Sequence, residues 1–314
     1  MLSVKDWLKL LATPIVETRE LTVPLIVLAT ICLLIWKIGV PGWSEFGLNA
    51  FTEVMGIVVT IVFVDQLIRR QEQRRTLPLQ VAAYEDVARL VGLIIRFWNS
   101  AFYESVPQTL PPLLIALWND PSNRHVPQTP PPLTVEQLFS LESIDAIRMC
   151  LDLDSQPNVA PPRTWWKWLE QNDKEFRSRA EHILERHAAT LDPEAYALVH
   201  RLLNDFLHTG TGIPMIETMK FVDQQNGFPR PHALAYYWST RLQDLETIVK
   251  LNEWCIRKKI FFEKVGMDGL SSPVLKLHVS HLAVSPPCMI DPQKILECNL
   301  AAQVYWENCR QQAN

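Results

Sequence analysis

Residues 21–36 read LTVPLIVLATICLLIW. These sixteen positions carry no charge, and Lys37 follows them. Taken as 21–40, the stretch is about 20 residues long, roughly the 30 Å of helix that a bilayer core requires. Lys37 can snorkel to the headgroups, and Trp36 and Trp43 suit the interface. No small-x-small cleavage site follows, which argues against a removed signal peptide. A buried helix of a soluble protein is the alternative, but it seldom holds so long a run of large apolar residues.

A second apolar stretch, FGLNAFTEVMGIVVTIVFVDQLI, occupies 46–68. Only eleven residues separate Glu53 from Asp65, too few to cross alone. A span of 47–67 places Asp65 near one interface, with Arg69 one turn further on. Glu53 then lies about 9 Å inside the other interface by helix rise. An acid at that depth is costly and faces protein or water, so Glu53 is the sharpest residue-level candidate. Gly56 and Thr60 form a small-xxx-small pair on the same helix, suited to self-association of the spans into a homo-oligomer. In the plainer reading the span begins after Glu53, and Asp65 is an interfacial partner of Arg69.

Lys and Arg counts set the orientation. Lys5, Lys9 and Arg19 precede the first run, and Arg69, Arg70, Arg74 and Arg75 follow the second, where they suit lipid headgroups. The turn 38–46 holds only Glu45 beyond Lys37. The expectation is a two-pass hairpin, 21–75, with both termini cytoplasmic. Residues 1–20 read as an amphipathic helix on the inner leaflet, opened by a Ser3–Asp6 capping pattern and closed by Pro14. The alternative is a helix packed on the cytosolic part.

Beyond residue 75 the chain reads as an ordinary soluble sequence. Residues 1–75 carry a net charge of +1 and residues 76–314 a net charge of −5. The mild acidity argues against a nucleic-acid partner. The six cysteines are scattered without a CxxC, which reads as reduced thiols in a cytosolic compartment. The juxtamembrane helix is expected to stop at Pro78, and 76–105 to form a membrane-proximal helix. Helix starts then recur through 134–314: a Thr134–Gln137 capping box before QLFSLESIDAIRMCL, Thr164 before WWKW, Asp192-Pro193-Glu194, Pro231 and Asp291-Pro292. Gly210, Gly212 and Gly266 mark stops. VLKLHVSHLAV at 274–284 is the one strand-like stretch. The fold class is therefore all-α, an N-terminal transmembrane hairpin followed by a cytosolic helical domain.

The phrase VPQT-x-PPL occurs at 106–113 and again at 126–133. Two copies do not make a solenoid. Polyproline II resists helix, so 106–133 reads as a semi-rigid joint. Partner recognition through these prolines and loops packed on the domain are the alternatives.

Chemistry-bearing motifs are sparse. No P-loop, GxGxxG, GxSxG or HExxH occurs, and glycine is scarce, with 10 in 314 residues. EHILERH at 181–187 sets His182 and Glu185 three apart, but a second such motif is missing, so a solvated helix face is expected. His278, His281, Cys288 and Cys298 are zinc-compatible types without the close cysteine pairs of structural sites. No cofactor or metal is expected. Trp165 and Trp168 share one helix side with Leu169, Asn172 and Phe176; core packing is the first reading, and contact with a partner or membrane the second.

The stretch GIVVTIVFVDQLIRRQEQRR (56–75) resembles the second span and juxtamembrane helix of many uncharacterised two-span bacterial membrane proteins, and HILERHAATLDPEAYALVH (182–200) has a similar cast. The resemblance covers about a quarter of the chain. It implies a bacterial inner-membrane protein and carries no activity, so no residue role is transferred. Three functions remain in view. The first is a non-enzymatic membrane-anchored sensor or interaction module that contacts lipid and a protein partner. The second is a membrane-perturbing effector of bacterial stress or phage defence, triggered through the cytosolic domain. The third is a membrane-bound enzyme with a dispersed site.

Overall fold

The computed structural model describes residues 19–38, 43–118, 134–206, 216–238, 242–273 and 283–313. Its contacts divide the chain into two units, 1–78 and 79–314. The described residues are overwhelmingly helical, and the only β-pairing among them is two isolated bridges. The protein is all-α. The expected amphipathic helix at 1–20 and most of the strand-like stretch at 274–284 lie outside the described residues.

In the first unit, α1 (Arg19–Ile38) is followed closely by α2, which begins at Ser44. Gly47 sets their approach. A Cβ built there would lie 2.9 Å from both Cys32 O and Trp36 N, and 3.2 Å from Ile35 Cγ2. Two of those atoms are backbone, so the helices touch main chain to side, as small residues allow. Ala29 and Cys32 on α1 and Val58 on α2 are buried. Most other apolar side chains here face outward, including Val27, Ile31, Leu34, Phe46, Ile57 and Val59. Among the described residues no helix is long and apolar enough to cross a membrane. The described side chains of α1 are those of 24, 25 and 27–38, and several positions of 62–67 are likewise not described. The expected spans 21–40 and 47–67 therefore both extend into residues outside the described side chains.

Helix α2 runs on to Ser105 with Pro78 inside it. This corrects the expected stop at Pro78. A proline inside a helix costs about 3 kcal/mol or more. The residues after it offset that cost: Tyr84, Val87, Leu90, Val91, Ile94, Ile95, Trp98, Ala101 and Phe102 have no exposed surface, and a fully buried large apolar side chain contributes about 1.5–3 kcal/mol. Residues 79–105 are thus the centre of the second unit.

The remaining elements cover that centre. Helix α3 is Pro112–Trp118, α4 is Val135–Leu138 and α5 is Leu141–Cys150. Helix α6 is Trp165–His187, and α7 is Pro193–Arg201, which runs into a π-turn at Leu202–Phe206. Helix α8 is Ile216–Asn226, α9 is Leu242–Lys264 and α10 is Pro292–Ala313. Helices α6, α7 and α9 pack together, and α3 lies on α10. Trp98 stacks on Trp238 with ring centres 5.1 Å apart, and Tyr84 meets Phe262 edge-on at 5.5 Å. Tyr84 also donates to Ser271 O at 2.6 Å, while Ser271 N donates to Glu85 at 2.7 Å.

Local start signals hold where they depend on neighbours in sequence. The Thr134–Gln137 capping box forms both of its bonds, and Asp192 caps α7 by accepting from Ala195 N at 2.9 Å. A second cap at Ser140, accepting from Ser143 N at 3.2 Å, splits the helix expected after Thr134 into α4 and α5. The helix expected from Pro231 to Gly266 stands over Leu242–Lys264, but its first residues form a short 3-10 turn at Leu234–Tyr236. The reason is distant pairing: Leu153 N donates to His232 O and Leu234 N to Leu151 O, and Asp152 bridges Ala233. Residues 150–153 are held on their other side by 288–290. The first VPQT copy is likewise drawn in: Val106 is buried, and Leu114 joins a core cluster with Met149, Cys150, Ala233, Ile290 and Ile295. Packing on the domain, rather than a free joint, describes 106–118. The second copy lies outside the described residues.

The Gly47 contact has a direct test. Gly47→Val should lower the thermal midpoint of the detergent-solubilised chain, by about 1–3 kcal/mol of overpacking. Gly56→Ala, whose Cβ would meet nothing within 4 Å, should raise it slightly, since alanine favours a helix interior by up to about 1 kcal/mol over glycine.

Candidate functional site

Glu53 sits on α2 with an exposed side chain and no ion-pair partner among the described residues. Its neighbours Met55, Ile57 and Val59 are exposed and apolar. Thr60 Oγ1 donates to Gly56 O at 2.8 Å, so the small pair is held tidily and its face is open. The side chains of Asp65, Arg69, Arg70 and Arg74 lie outside the described set, and Arg75 is exposed.

A dense charge cluster in the second unit was not visible in the sequence. Asp154, in the turn after α5, accepts from Lys220 Nζ on α8 with one oxygen and pairs with His232 Nδ1 through the other. The Lys220 side chain is only 9% exposed, and its Nζ lies 4.9 Å over the Trp166 ring. Beside them Arg230 Nε stands 2.8 Å from Asp223 Oδ2, and the guanidinium is flanked by the Phe228 and Tyr237 rings. Burial alone would raise the Asp154 carboxyl, but His232 and Lys220 more than offset it and hold it at about 2. The Tyr237 hydroxyl is buried without a hydrogen-bond partner among the described residues, and burial next to Asp223 pushes its pKa up. The Lys220 ammonium is bound to a carboxylate, so it is a clamp rather than a free nucleophile or base. The cluster ties α8 and residues 228–238 to the turn at 152–155.

Three other polar features deserve description. His187 closes α6 and is buried, with Nε2 2.9 Å from Asp86 Oδ2 on α2. The EHILERH face is therefore only partly solvated: His182 and Glu185 are exposed, but His187 turns inward. Cys288 donates to Glu104 Oε2 at 3.6 Å and to Gln156 O at 3.4 Å, and burial raises both the thiol and the carboxyl. Asp173 on α6 is 3% exposed, and its Oδ1 lacks a partner among the described residues. Burial pushes this carboxyl up to about 6, against the pull of Arg177 and Lys174.

The residues expected to touch a partner or the membrane divide. Trp165 has no exposed surface and packs on Phe97, Trp98's neighbour, so it belongs to the core and is not a contact residue. Trp168 is half-buried in the same aromatic group, 4.9 Å from Phe97 and 4.7 Å from Trp165. Among the described residues no group of three or more His, Cys, Asp or Glu is arranged to hold a metal. His278 and His281 lie outside them. An open cleft of about 50 Å³ lies between Gln80, Ala83, Asp192, Trp254, Lys258 and Phe262. It has room for water and not for a substrate, since ligand pockets run to roughly 300–1,000 Å³. All six cysteines are free thiols.

Against known proteins, the chain matches no family model, no curated protein and no solved structure.

Two substitutions test the electrostatics. Asp154→Ala leaves the buried Lys220 ammonium facing only Trp166, and should cost about 3 kcal/mol of stability; Lys220→Met added to it should restore most of the loss in denaturant melts. Asp173 runs the other way. A carboxyl whose folded pKa lies above its unfolded value costs nothing below about pH 4, and its cost grows until about pH 6. Asp173→Asn should therefore stabilise the protein by on the order of 1–3 kcal/mol near pH 7 and change nothing near pH 4, as read by thermal melts at both.

Proposed function

We propose that this chain is a non-enzymatic interaction module anchored in a bilayer. The hairpin of α1 and the first part of α2 inserts, with both ends cytoplasmic, and the helical unit from Leu79 onward binds its partner at the membrane. The observation that carries this is the surface of the first unit. Val27, Leu28, Ile31 and Leu34 on α1 and Phe46, Leu48, Met55, Ile57 and Val59 on α2 all face outward. So much exposed apolar surface on two packed helices is unsuited to water and suited to lipid tails. The uncharged run 21–36 and the arginines that follow the second run fit the same picture. Free thiols throughout agree with a cytosolic second unit. Exposed Phe221 and Val222 on α8, and Leu300, Val304 and Trp306 on α10, are available to a protein partner.

A second reading, the membrane-perturbing effector, is favoured by Glu53 alone. An exposed acid with no ion-pair partner among the described residues, amid exposed apolar side chains, would gain one if several hairpins assembled around water.

One experiment separates these readings. Bacteria producing the full chain are assayed for carbonate-resistant membrane association and for membrane potential with a voltage-sensitive dye. The anchored module predicts protein in the carbonate pellet and a steady potential. Depolarisation that disappears in Glu53→Ala would favour the effector. Release of the chain into the carbonate supernatant would overturn both.

A further inference from the structure

The last two turns of α9 present a half-exposed apolar face. Ile260, Phe261 and Val265 are each about half exposed. At helical spacing they share one side with Arg257 and Lys264, while Leu251, Cys255 and Phe262 point into the core. Gly266, with φ +86°, ends the helix at once, and Met267 N returns to Phe262 O at 3.0 Å, which fixes Val265 at the tip.

The charge here runs against that of the unit. Residues 79–314 carry a net charge of −5, yet 257–265 hold Arg257, Lys258, Lys259 and Lys264 against Glu263 alone. Arg257 and Lys258 are partly spent on Glu194 and Asp192 of α7. Lys259 lies 3.8 Å from Glu263, and Lys264 has no ion-pair partner among the described residues. The position of the face matters as much. Lys258 and Phe262 line one cleft with Gln80 and Ala83, so the end of α9 lies beside the first residues of the unit, where Leu79 is also exposed. Arg74 and Arg75 stand just before that point in the chain.

We infer that this face, Ile260, Phe261 and Val265 framed by Arg257 and Lys264, docks on the surface of an anionic bilayer. The inference rests on the proposed insertion of the hairpin, because α2 continues without a break from the hairpin into the start of the second unit. The chemistry is that of interfacial amphipathic helices: aromatic and aliphatic side chains enter the acyl boundary while lysines and arginines meet lipid phosphates.

The full chain tests this in vesicles of phosphatidylcholine with and without phosphatidylglycerol. Cys298 and Cys309 are replaced by Ser, and a nitroxide is attached in turn at Phe261→Cys, Val265→Cys, Lys174→Cys and Val59→Cys. Accessibility to oxygen and to a water-soluble nickel chelate is then measured. The expected result is an oxygen-to-nickel ratio at 261 and 265 several times that at 174, present with phosphatidylglycerol and lost without it. A low ratio at 261 and 265 with a high ratio at 59 would overturn the docking and leave the inserted hairpin standing. A low ratio at 59 would remove the hairpin reading and the docking with it. Protection at 261 from both reagents would show a protein on the face, and a ratio indifferent to phosphatidylglycerol would remove the anionic surface; either overturns the inference.

Discussion

Residues 83–102 of α2 are apolar on nearly every side, and most of the second unit follows from that. Only the stripe of Glu85, Arg89 and Arg96 faces water, with both arginines exposed, and the other sides must be covered. No single neighbour can do this. Helix α6 supplies Trp165 and Phe176 against Phe97, α9 supplies Trp254 and Phe262 against Tyr84, and Trp238 stacks on Trp98. Even loops are recruited, as Ser271 closes over Tyr84 and Glu85. The same demand lets Pro78 sit inside α2, because the burial downstream outweighs one lost hydrogen bond.

Charges inside this unit are sorted by how far their partners offset burial. Asp154 gathers Lys220 and His232 and stays ionised with ease. Asp173, buried further with one oxygen unsatisfied, holds its proton to about 6. His187 and Asp86 join α6 to the central helix, and Glu104 and Cys288 join that helix to a late segment of the chain. These pairs fix which face of each helix turns inward, a task that apolar contacts alone leave loosely defined.

What could be read from the sequence was what depends on near neighbours. Thr134 with Gln137, and Asp192 with Ala195, complete their caps within four residues, and those helix starts stand where the pattern put them. The all-α class followed from the same local signals. The helix expected from Pro231 stands only over Leu242–Lys264, because 232–234 are claimed by 151–153, about eighty residues earlier, and no local pattern encodes that. The Asp154 cluster was illegible for the same reason: its partners lie 66 and 78 residues away. Trp165 and Trp168 showed their common side in the sequence, but only the position of Phe97 decides that this side is core. The close approach at Gly47 depends on which part of α1 packs against α2, and a lone glycine gives no sign of it.

The order in which the chain is made adds a burden to this architecture. The central helix is synthesised early, yet its cover comes late: Ser271 lies 187 residues beyond Tyr84, and Cys288 lies 184 beyond Glu104. At about 5–20 residues per second, a ribosome needs on the order of 10–40 s to supply those segments. Throughout that interval the greasiest stretch of the second unit waits unclothed just behind the apolar hairpin. A chaperone that shelters the nascent chain until its last third emerges would ease that wait.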